Sequence, residues 1–336
     1  MNIVIKSIAS YLPEAKMTNE MLSNEFPEWS VDKISTKIGI RERRLSGFET
    51  ISEMAVKAAI NLFKSSLLNP NEVDYILLCT QSPDYILPTS ACIIQHELKI
   101  PSSSGAIDFN QGCSGYIYGL SLAKGLIAGQ VAKNVLLITS EAYTKHIHPK
   151  DKSNRAIFGD AATATWISTG SGLQIENFIL GTDGKGANNL IINNGGSRFP
   201  KNKKESYTDS GGNSRNDDYL YMNGSEIFNF TLESIPSLVT NTLLSNKIQL
   251  EEINWFVFHQ ANAFMLNHLR KKIGINVDKF PIEMEFTGNT VSSTIPLVLE
   301  KLLNGNKVKL NDKLMLTGFG VGYSWGSVIV KNIIYE

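Results

Sequence analysis

Cysteine is scarce in this chain: Cys79, Cys92 and Cys113 are the only three among 336 residues, and no two form a CxxC pair. An odd, scattered set does not build a disulfide framework, so all three read as thiols of a reducing compartment. Net charge is absent too, with 32 Lys and Arg against 32 Asp and Glu. That balance removes the bulk attraction that recruits nucleic acid or an anionic membrane. No stretch approaches the roughly 18 to 20 consecutive apolar residues of a membrane span. Residues 1–11 alternate apolar and polar side chains as a strand does and lack the apolar centre of a secretory signal. A cytoplasmic protein is the expectation. What is present is a globular balance, 42% hydrophobic and 19% charged, enough apolar surface for a sizeable core and unlike a disordered chain.

Short β-rich runs alternate with longer helical patterns, which predicts an α/β protein with largely parallel sheets. The pattern also echoes itself. The stretch Glu72-Val73-Asp74-Tyr75-Ile76-Leu77-Leu78-Cys79 matches Glu252-Ile253-Asn254-Trp255-Phe256-Val257-Phe258-His259 at an offset of 180. Cys113 opens a small-residue helix leading to the strand at Val135, and Asn289 opens one leading to the strand at Leu314, 176 residues further on. The opening Ile3–Leu12 loosely matches Leu173–Gly181. Ordered matches at a nearly fixed offset predict a duplicated core, with halves 1–170 and 171–336 meeting at the turn Thr169-Gly170-Ser171-Gly172. The stretch Gly184 to Asp218, rich in Gly, Ser, Asn, Asp and Lys, has too little apolar content to pack and reads as a mobile surface insertion. Its lysines Lys201, Lys203 and Lys204 read as solvated.

Duplication would carry Cys113, His259 and Asn289 to equivalent strand–helix junctions, and open α/β sheets bind ligands beyond the carboxyl ends of their strands. A helix start favours the thiolate, which makes Cys113 the candidate nucleophile. Cys79 and Cys92 read as inert buried thiols. His259 ends an apolar run, a setting that keeps its ring neutral and able both to donate and to accept. The Asn289 carboxamide can donate to an oxyanion or cap a helix. His146 and His148 lack a nearby third ligand for a metal, while His96 and His268 fall on helical patterns and read as structural or exposed.

The motifs IGIRER (38–43), DFNQGCSGYIYGL (108–120), IFGD (157–160), HQAN (259–262), GNT (288–290) and GFGVGYSWGS (318–327), in this order, resemble the type III β-ketoacyl-acyl-carrier-protein synthases of the thiolase-fold superfamily. The resemblance implies a five-layered α-β-α-β-α fold built from two duplicated halves. It implies an acyltransferase in which Cys113 takes an acyl group from an acyl-coenzyme A thioester. His259 and Asn289 then stabilise the enolate formed as malonyl-acyl carrier protein loses carbon dioxide, and a 3-oxoacyl thioester results. The late glycine loop has no second reactive cysteine, which favours decarboxylative condensation over thiolytic cleavage. No cofactor or metal is implied beyond the coenzyme A thioester as substrate, and a homodimer is expected, with Ile86-Leu87 at its interface.

Further assignments come from the same resemblance. The oxyanion hole pairs the backbone N–H groups of Cys113 and Val321, and a positive φ at Val321 would be costly for a β-branched residue. Trp29, Lys37, Lys152, Asn262 and Phe319 fall at substrate and coenzyme A contacts; Lys37 and Lys152 replace arginines and lose bidentate phosphate geometry. Leu87 stands where a larger aromatic residue often closes the acyl pocket across the dimer. Arg270, Lys271 and Lys272 could dock an acidic carrier protein, whereas Phe264 and Asn229 fall where basic residues often occur.

Three other readings compete. One is a specialised relative that transfers its acyl group to a non-carrier acceptor, forming an ester, an amide or a secondary-metabolite ketone. Another is a papain-like cysteine peptidase, whose Cys, His, Asn order this chain mimics. The third is a scaffold that retains the fold without chemistry.

Overall fold

A computed structural model describes residues 2–202 and 205–334. Its frame is a nine-stranded mixed sheet made of β1 (Ile3–Tyr11), β2 (Tyr75–Cys79), β3 (Gly105–Phe109), β4 (Val135–Glu141), β5 (Ala161–Thr169), β6 (Gly172–Thr182), β7 (Trp255–Phe258), β8 (Lys313–Gly320) and β9 (Ser324–Ile333). The spatial order is β7-β8-β9-β6-β1-β5-β4-β2-β3. Outward from the centre, β1-β5-β4-β2 repeats the pairing of β6-β9-β8-β7: antiparallel, antiparallel, then parallel. In the sheet the two series are joined by the antiparallel pairs Val4 with Gln174 and Ile5 with Leu173.

The expectation of largely parallel sheets is corrected here. In the main sheet, parallel pairing is confined to β2–β3, β2–β4 and β7–β8. Helical crossovers make those pairs, whereas β8 and β9 are joined by a short turn, and such a connection can only reverse the chain.

Side-chain alternation along the strands builds the layers. Past helix α1 (Val31–Ile38), Ile76 and Leu78 of β2 join an outer core with helices α2 (Ile51–Ser65) and α3 (Ser90–Glu97), and Leu77 points the other way. There it meets Tyr116, Ile117 and Leu120 of α4 (Gly115–Ala128) and Ile295 and Leu299 of α7 (Thr294–Asn304). Val257 and Leu316 enter that same middle core, while Phe256, Phe258 and Met315 face α5 (Gly224–Asn246) and α6 (Ala263–Ile273). Helix, one strand series, paired helices, the other strand series and helix make the five layers. Each large aliphatic side chain so buried contributes about 1.5–3 kcal/mol. Among the described residues no helix is long and apolar enough to cross a membrane.

The stretch 184–218 also departs from expectation, because its described residues are ordered by polar contacts where apolar ones are lacking. Leu190–Ile191 pairs with Tyr221–Met222, and Tyr207–Thr208 pairs with Ser214–Arg215. The Arg215 guanidinium is buried against both Asp151 and Asp209, and Asn213 accepts the Ser153 N–H and hydroxyl. Charge-assisted bonds of this kind order a chain that hydrophobicity alone would leave loose. Lys201 is exposed; Lys203 and Lys204 lie outside the described residues.

Candidate active site

Cys113, His259 and Asn289 come from three separated stretches and line one cavity of about 120 Å³, together with Phe158, Leu190, Ile227, Asn262, Met265, Phe319 and Gly320. The three are 6%, 2% and 4% exposed, so chemistry there is screened from bulk water. The remaining walls are apolar apart from Asn262, which leaves few groups to compete for a reacting carbonyl.

Cys113 lies two residues before α4, whose first turn starts at Gly115 after Ser114. The backbone N–H groups of Cys113 and Val321 act on its sulfur and pull its pKa down. Burial and the nearby Glu141 carboxylate outweigh them, and the thiol is pushed up to about 12. The expectation that the helix start would yield a thiolate is therefore corrected: desolvation of a sealed sulfur exceeds what two N–H groups and one helix end supply. Gly320 permits the close approach of its loop, since a Cβ there would sit 2.9 Å from the Cys113 Cβ and 3.0 Å from its sulfur. Val321 does not take the strained backbone expected of it; the positive φ, 135°, falls on Gly322, where it costs little.

His259 stands one residue beyond β7, its backbone N–H bonded to the Thr317 carbonyl at 2.8 Å. Burial lowers its pKa to about 3, so the ring is neutral. Its Nδ1 lies 2.8 Å from the Thr294 hydroxyl, which also reaches the Val291 carbonyl at 3.0 Å. That single hydroxyl proton can serve the ring or the carbonyl, and its choice decides whether Nε2 carries the ring proton. The Phe319 ring meets the imidazole edge-on at 5.6 Å.

Asn289 pairs with Phe158 as an isolated bridge, held by its N–H to the Ile157 carbonyl at 2.9 Å and by the Gly159 N–H to its own carbonyl at 3.0 Å. It does not open α7, which begins at Thr294 after a short turn at Val291–Ser293. Its side-chain oxygen accepts the Val291 N–H at 2.9 Å, which leaves the NH₂ as the donor available to the cavity.

Sequence reasoning missed Glu141, Val291 and Thr294. Glu141 ends β4 fully buried, accepting the Gln81 N–H at 3.0 Å and the Ser292 hydroxyl at 2.8 Å, and burial raises its carboxyl to about 8. An acid closing an apolar strand was the available signal. Nothing in the sequence marked Val291 as a residue with φ of 56°.

The remaining expected contacts divide. Asn262 lines the cavity and caps α6 by accepting the Met265 N–H, and Phe319 lines it as well. Trp29 is half-buried against the core outside the cavity, and Lys37 is exposed on the last turn of the helix Val31–Ile38. Lys152 is buried and paired with Glu28 at 2.7 Å, so its charge is already met. Leu87 lines no part of the cavity within this chain; it and Ile86 are 79% and 94% exposed. Lys271 and Lys272 are exposed, but Arg270 turns inward to the Ile275 carbonyl at 2.8 Å. Phe264 is exposed and packs with Phe228 and His268. Cys79 donates to the Gln111 carbonyl at 3.0 Å in full burial. Among the described residues no group of three or more His, Cys, Asp or Glu side chains is placed to hold a metal ion.

Comparison with known proteins gives a consistent answer. Residues 107–184 match the family described as 3-oxoacyl-(acyl-carrier-protein) synthase III, and residues 243–332 match the description of its C-terminal part. A relative named beta-ketoacyl-(acyl-carrier-protein) synthase III from Clostridium tetani is 32% identical, with 97% of each chain covered. A crystal structure titled 3-oxoacyl-(acyl-carrier-protein) synthase III superposes with a TM-score of 0.96 at 48% identity, covering 98% of this chain and 99% of that one. A 3-oxoacyl-(acyl-carrier protein) synthase from Burkholderia xenovorans gives 0.91 at 34% identity, covering 100% of this chain and 96% of that one.

Proposed function

Because the chain belongs to the 3-oxoacyl-(acyl-carrier-protein) synthase III family, we propose that it condenses an acyl group from acyl-coenzyme A with malonyl-acyl carrier protein to give a 3-oxoacyl thioester. The observation that carries this reading is the convergence of Cys113, His259 and Asn289 on one apolar cavity. Cys113 attacks the thioester carbonyl, the carbon–sulfur bond to coenzyme A breaks, and the thiol proton leaves with the departing coenzyme A by way of His259 Nε2. The N–H groups of Cys113 and Val321 receive the oxyanion.

In the second half, malonyl thioester replaces coenzyme A. Its carboxylate leaves as carbon dioxide, and the electron pair passes into an enolate whose oxygen accepts from Asn289 Nδ2 and His259 Nε2. The enolate carbon then attacks the acyl-cysteine carbonyl, the acyl carbon–sulfur bond breaks, and the released Cys113 thiolate takes up the one proton the overall reaction consumes, which restores the thiol. With Thr294 donating to Nδ1, Nε2 carries the proton this step needs; with Thr294 turned to the Val291 carbonyl, Nε2 is free to take the thiol proton of the first step. The acyl donor makes a cytoplasmic setting the natural one, since coenzyme A thioesters are intracellular. Exposed Ile86 and Leu87 suit an interface with a second copy of the chain, Lys271 and Lys272 suit an acidic carrier, and the halves 1–170 and 171–336 are read as the duplicated units. A peptidase reading gains nothing from this architecture, which is a repeated sheet stack.

Intact-mass spectrometry after incubation with acyl-coenzyme A thioesters tests the first half. An acyl adduct is expected on the parent protein and not on Cys113→Ser; equal adducts on both would reject Cys113 as nucleophile. For the second half, His259→Ala should acylate more slowly, since it lacks the group that takes the thiol proton, and once acylated should release carbon dioxide from malonyl thioester about 10²–10³ more slowly.

A further inference from the structure

Val321 meets the Cys113 sulfur from a turn, not from a strand. Pairing of β8 with β9 ends at Gly320 and Ser324, and Val321, Gly322 and Tyr323 form the turn between them. Tyr323 is held by Asp183 through both of its backbone groups, at 2.7 and 3.0 Å. The turn and the end of β8 lie closely on the stretch that carries the nucleophile. A Cβ at Gly318 would sit 2.8 Å from the Cys113 carbonyl oxygen, and one at Gly112 would sit 2.5 Å from Val321 Cγ1. Close approach alone does not aim an N–H.

A chain of buried hydroxyls crosses this contact. Ser114, next to the nucleophile, and Ser324, the first residue after the turn, are both buried, with their oxygens 2.6 Å apart. The Ser324 hydroxyl lies 2.8 Å from the Val321 carbonyl and 3.2 Å from Gln111 Oε1. The Ser114 hydroxyl lies 3.3 Å from the same Gln111 oxygen. Two protons serve these contacts. Hydroxyl oxygens 2.6 Å apart need one of them between them. If Ser324 gave that proton, none would remain for the Val321 carbonyl. Both short contacts are filled when Ser114 donates to Ser324 and Ser324 donates to Val321, with Gln111 Oε1 as the longer alternative. The chain so formed runs from the neighbour of Cys113 to the residue whose N–H acts on the Cys113 sulfur. Burial strengthens each bond in it and keeps water from substituting.

We propose that Ser324 is a positioning residue for acyl transfer: supported by Ser114, its hydroxyl fixes the Val321 backbone so that the Val321 N–H points at the oxygen that turns negative when Cys113 is acylated. The proposal rests on the condensing reaction argued above. Neither serine lines the catalytic cavity, so both act through the backbone they hold and not on the substrate. Val321 is restrained on both sides, by the pairing of Gly320 with Ser324 before it and by the Ser324 hydroxyl on its own carbonyl. A rotation that swings its N–H away would break one or the other. A donor aimed in advance needs no reorganisation as the charge develops.

The test sets two reactions of the same sulfur side by side. Acylation by acetyl, butanoyl or octanoyl coenzyme A passes through an oxyanion, whereas alkylation by iodoacetamide displaces iodide at a saturated carbon and forms none. Single-turnover acylation of Ser324→Ala, read by intact mass at saturating donor, should slow by about 10- to 100-fold, part of the roughly 10²–10³ that outright removal of a donor costs. The donor concentration at half-maximal rate and the alkylation rate should both stay within about threefold of the parent, since neither depends on a developing oxyanion. Ser114→Ala leaves Ser324 its own proton for Val321 and should slow acylation by less than Ser324→Ala does. If Ser324→Ala acylates at the parent rate, if it loses alkylation as far as acylation, or if Ser114→Ala is the slower of the two, the positioning role is overturned and the condensing reaction stands. If none of the three donors acylates Cys113 in the parent protein, both fall.

Discussion

The Asn289 side-chain oxygen accepts the N–H of Val291 at 2.9 Å, and Val291 holds a φ of 56°. A β-branched residue in that region is strained by about 1–3 kcal/mol and persists only where its surroundings over-determine it. Here the Thr294 hydroxyl on the Val291 carbonyl supplies the second clamp. The strained residue thus orients both the carboxamide that faces the cavity and the threonine that faces His259.

Replacing Asn289 by Asp preserves the acceptor for Val291 and removes the NH₂ donor. Cys113 acylation should continue, while carbon dioxide release from malonyl thioester falls by about 10²–10³. Parent-like release would remove Asn289 from the enolate step.

The thiol of Cys113 is pushed up to about 12 and the ring of His259 down to about 3, both chiefly by burial. Neither group is then charged in the free protein at neutral pH. Alkylation of Cys113 by iodoacetamide should accelerate steadily, by about tenfold per pH unit, from about pH 6 to about pH 9. A plateau near neutrality would reveal a resting thiolate–imidazolium pair and contradict the desolvated site.

Glu141 titrates near 8 in the folded protein because of burial, above the roughly 4.3 of an unfolded glutamate. Its protonated form is favoured by folding, so the stability it contributes is complete below the unfolded value and is lost as pH rises through about 8. Glu141→Gln keeps an acceptor for the Gln81 N–H and should flatten the fall in melting temperature between about pH 5 and about pH 9. It should also speed Cys113 alkylation at alkaline pH, since Glu141 is among the groups that raise the thiol. An unchanged melting profile would show that Glu141 is already ionised in the fold.

Arg215 binds Asp151 and Asp209 from the inserted hairpin, and Asp151 caps the helical turn that carries Lys152 by accepting the Asn154 N–H. Arg215→Met strands a buried carboxylate and should cost about 3–5 kcal/mol in urea unfolding. Adding Asp151→Asn should recover part of that loss. A loss below about 1 kcal/mol, the range of exposed pairs, would mean that the contact is solvent-screened.

How much was legible in advance follows from the range of the interactions. The strands Tyr75–Cys79 and Trp255–Phe258 were readable because their apolar patterns are local, and the structure gives them equivalent places in the two mirrored series. Gly184 to Asp218 was misread because composition registers missing apolar packing but cannot register an arginine such as Arg215 meeting Asp151 across 64 positions. Val321 was misjudged for a related reason: which residue of a glycine loop takes the left-handed turn depends on the strands that loop connects.

The order and identity of the reactive side chains, the layered α/β plan and the family are properties of the sequence, because local periodicity and motif chemistry carry them. The ionisation of Cys113, His259 and Glu141, the strain at Val291 and the pairing of Lys152 with Glu28 belong to the tertiary structure alone. Each depends on how deeply a group is removed from water and on which distant atoms replace that water, and neither is written in the residues that flank it.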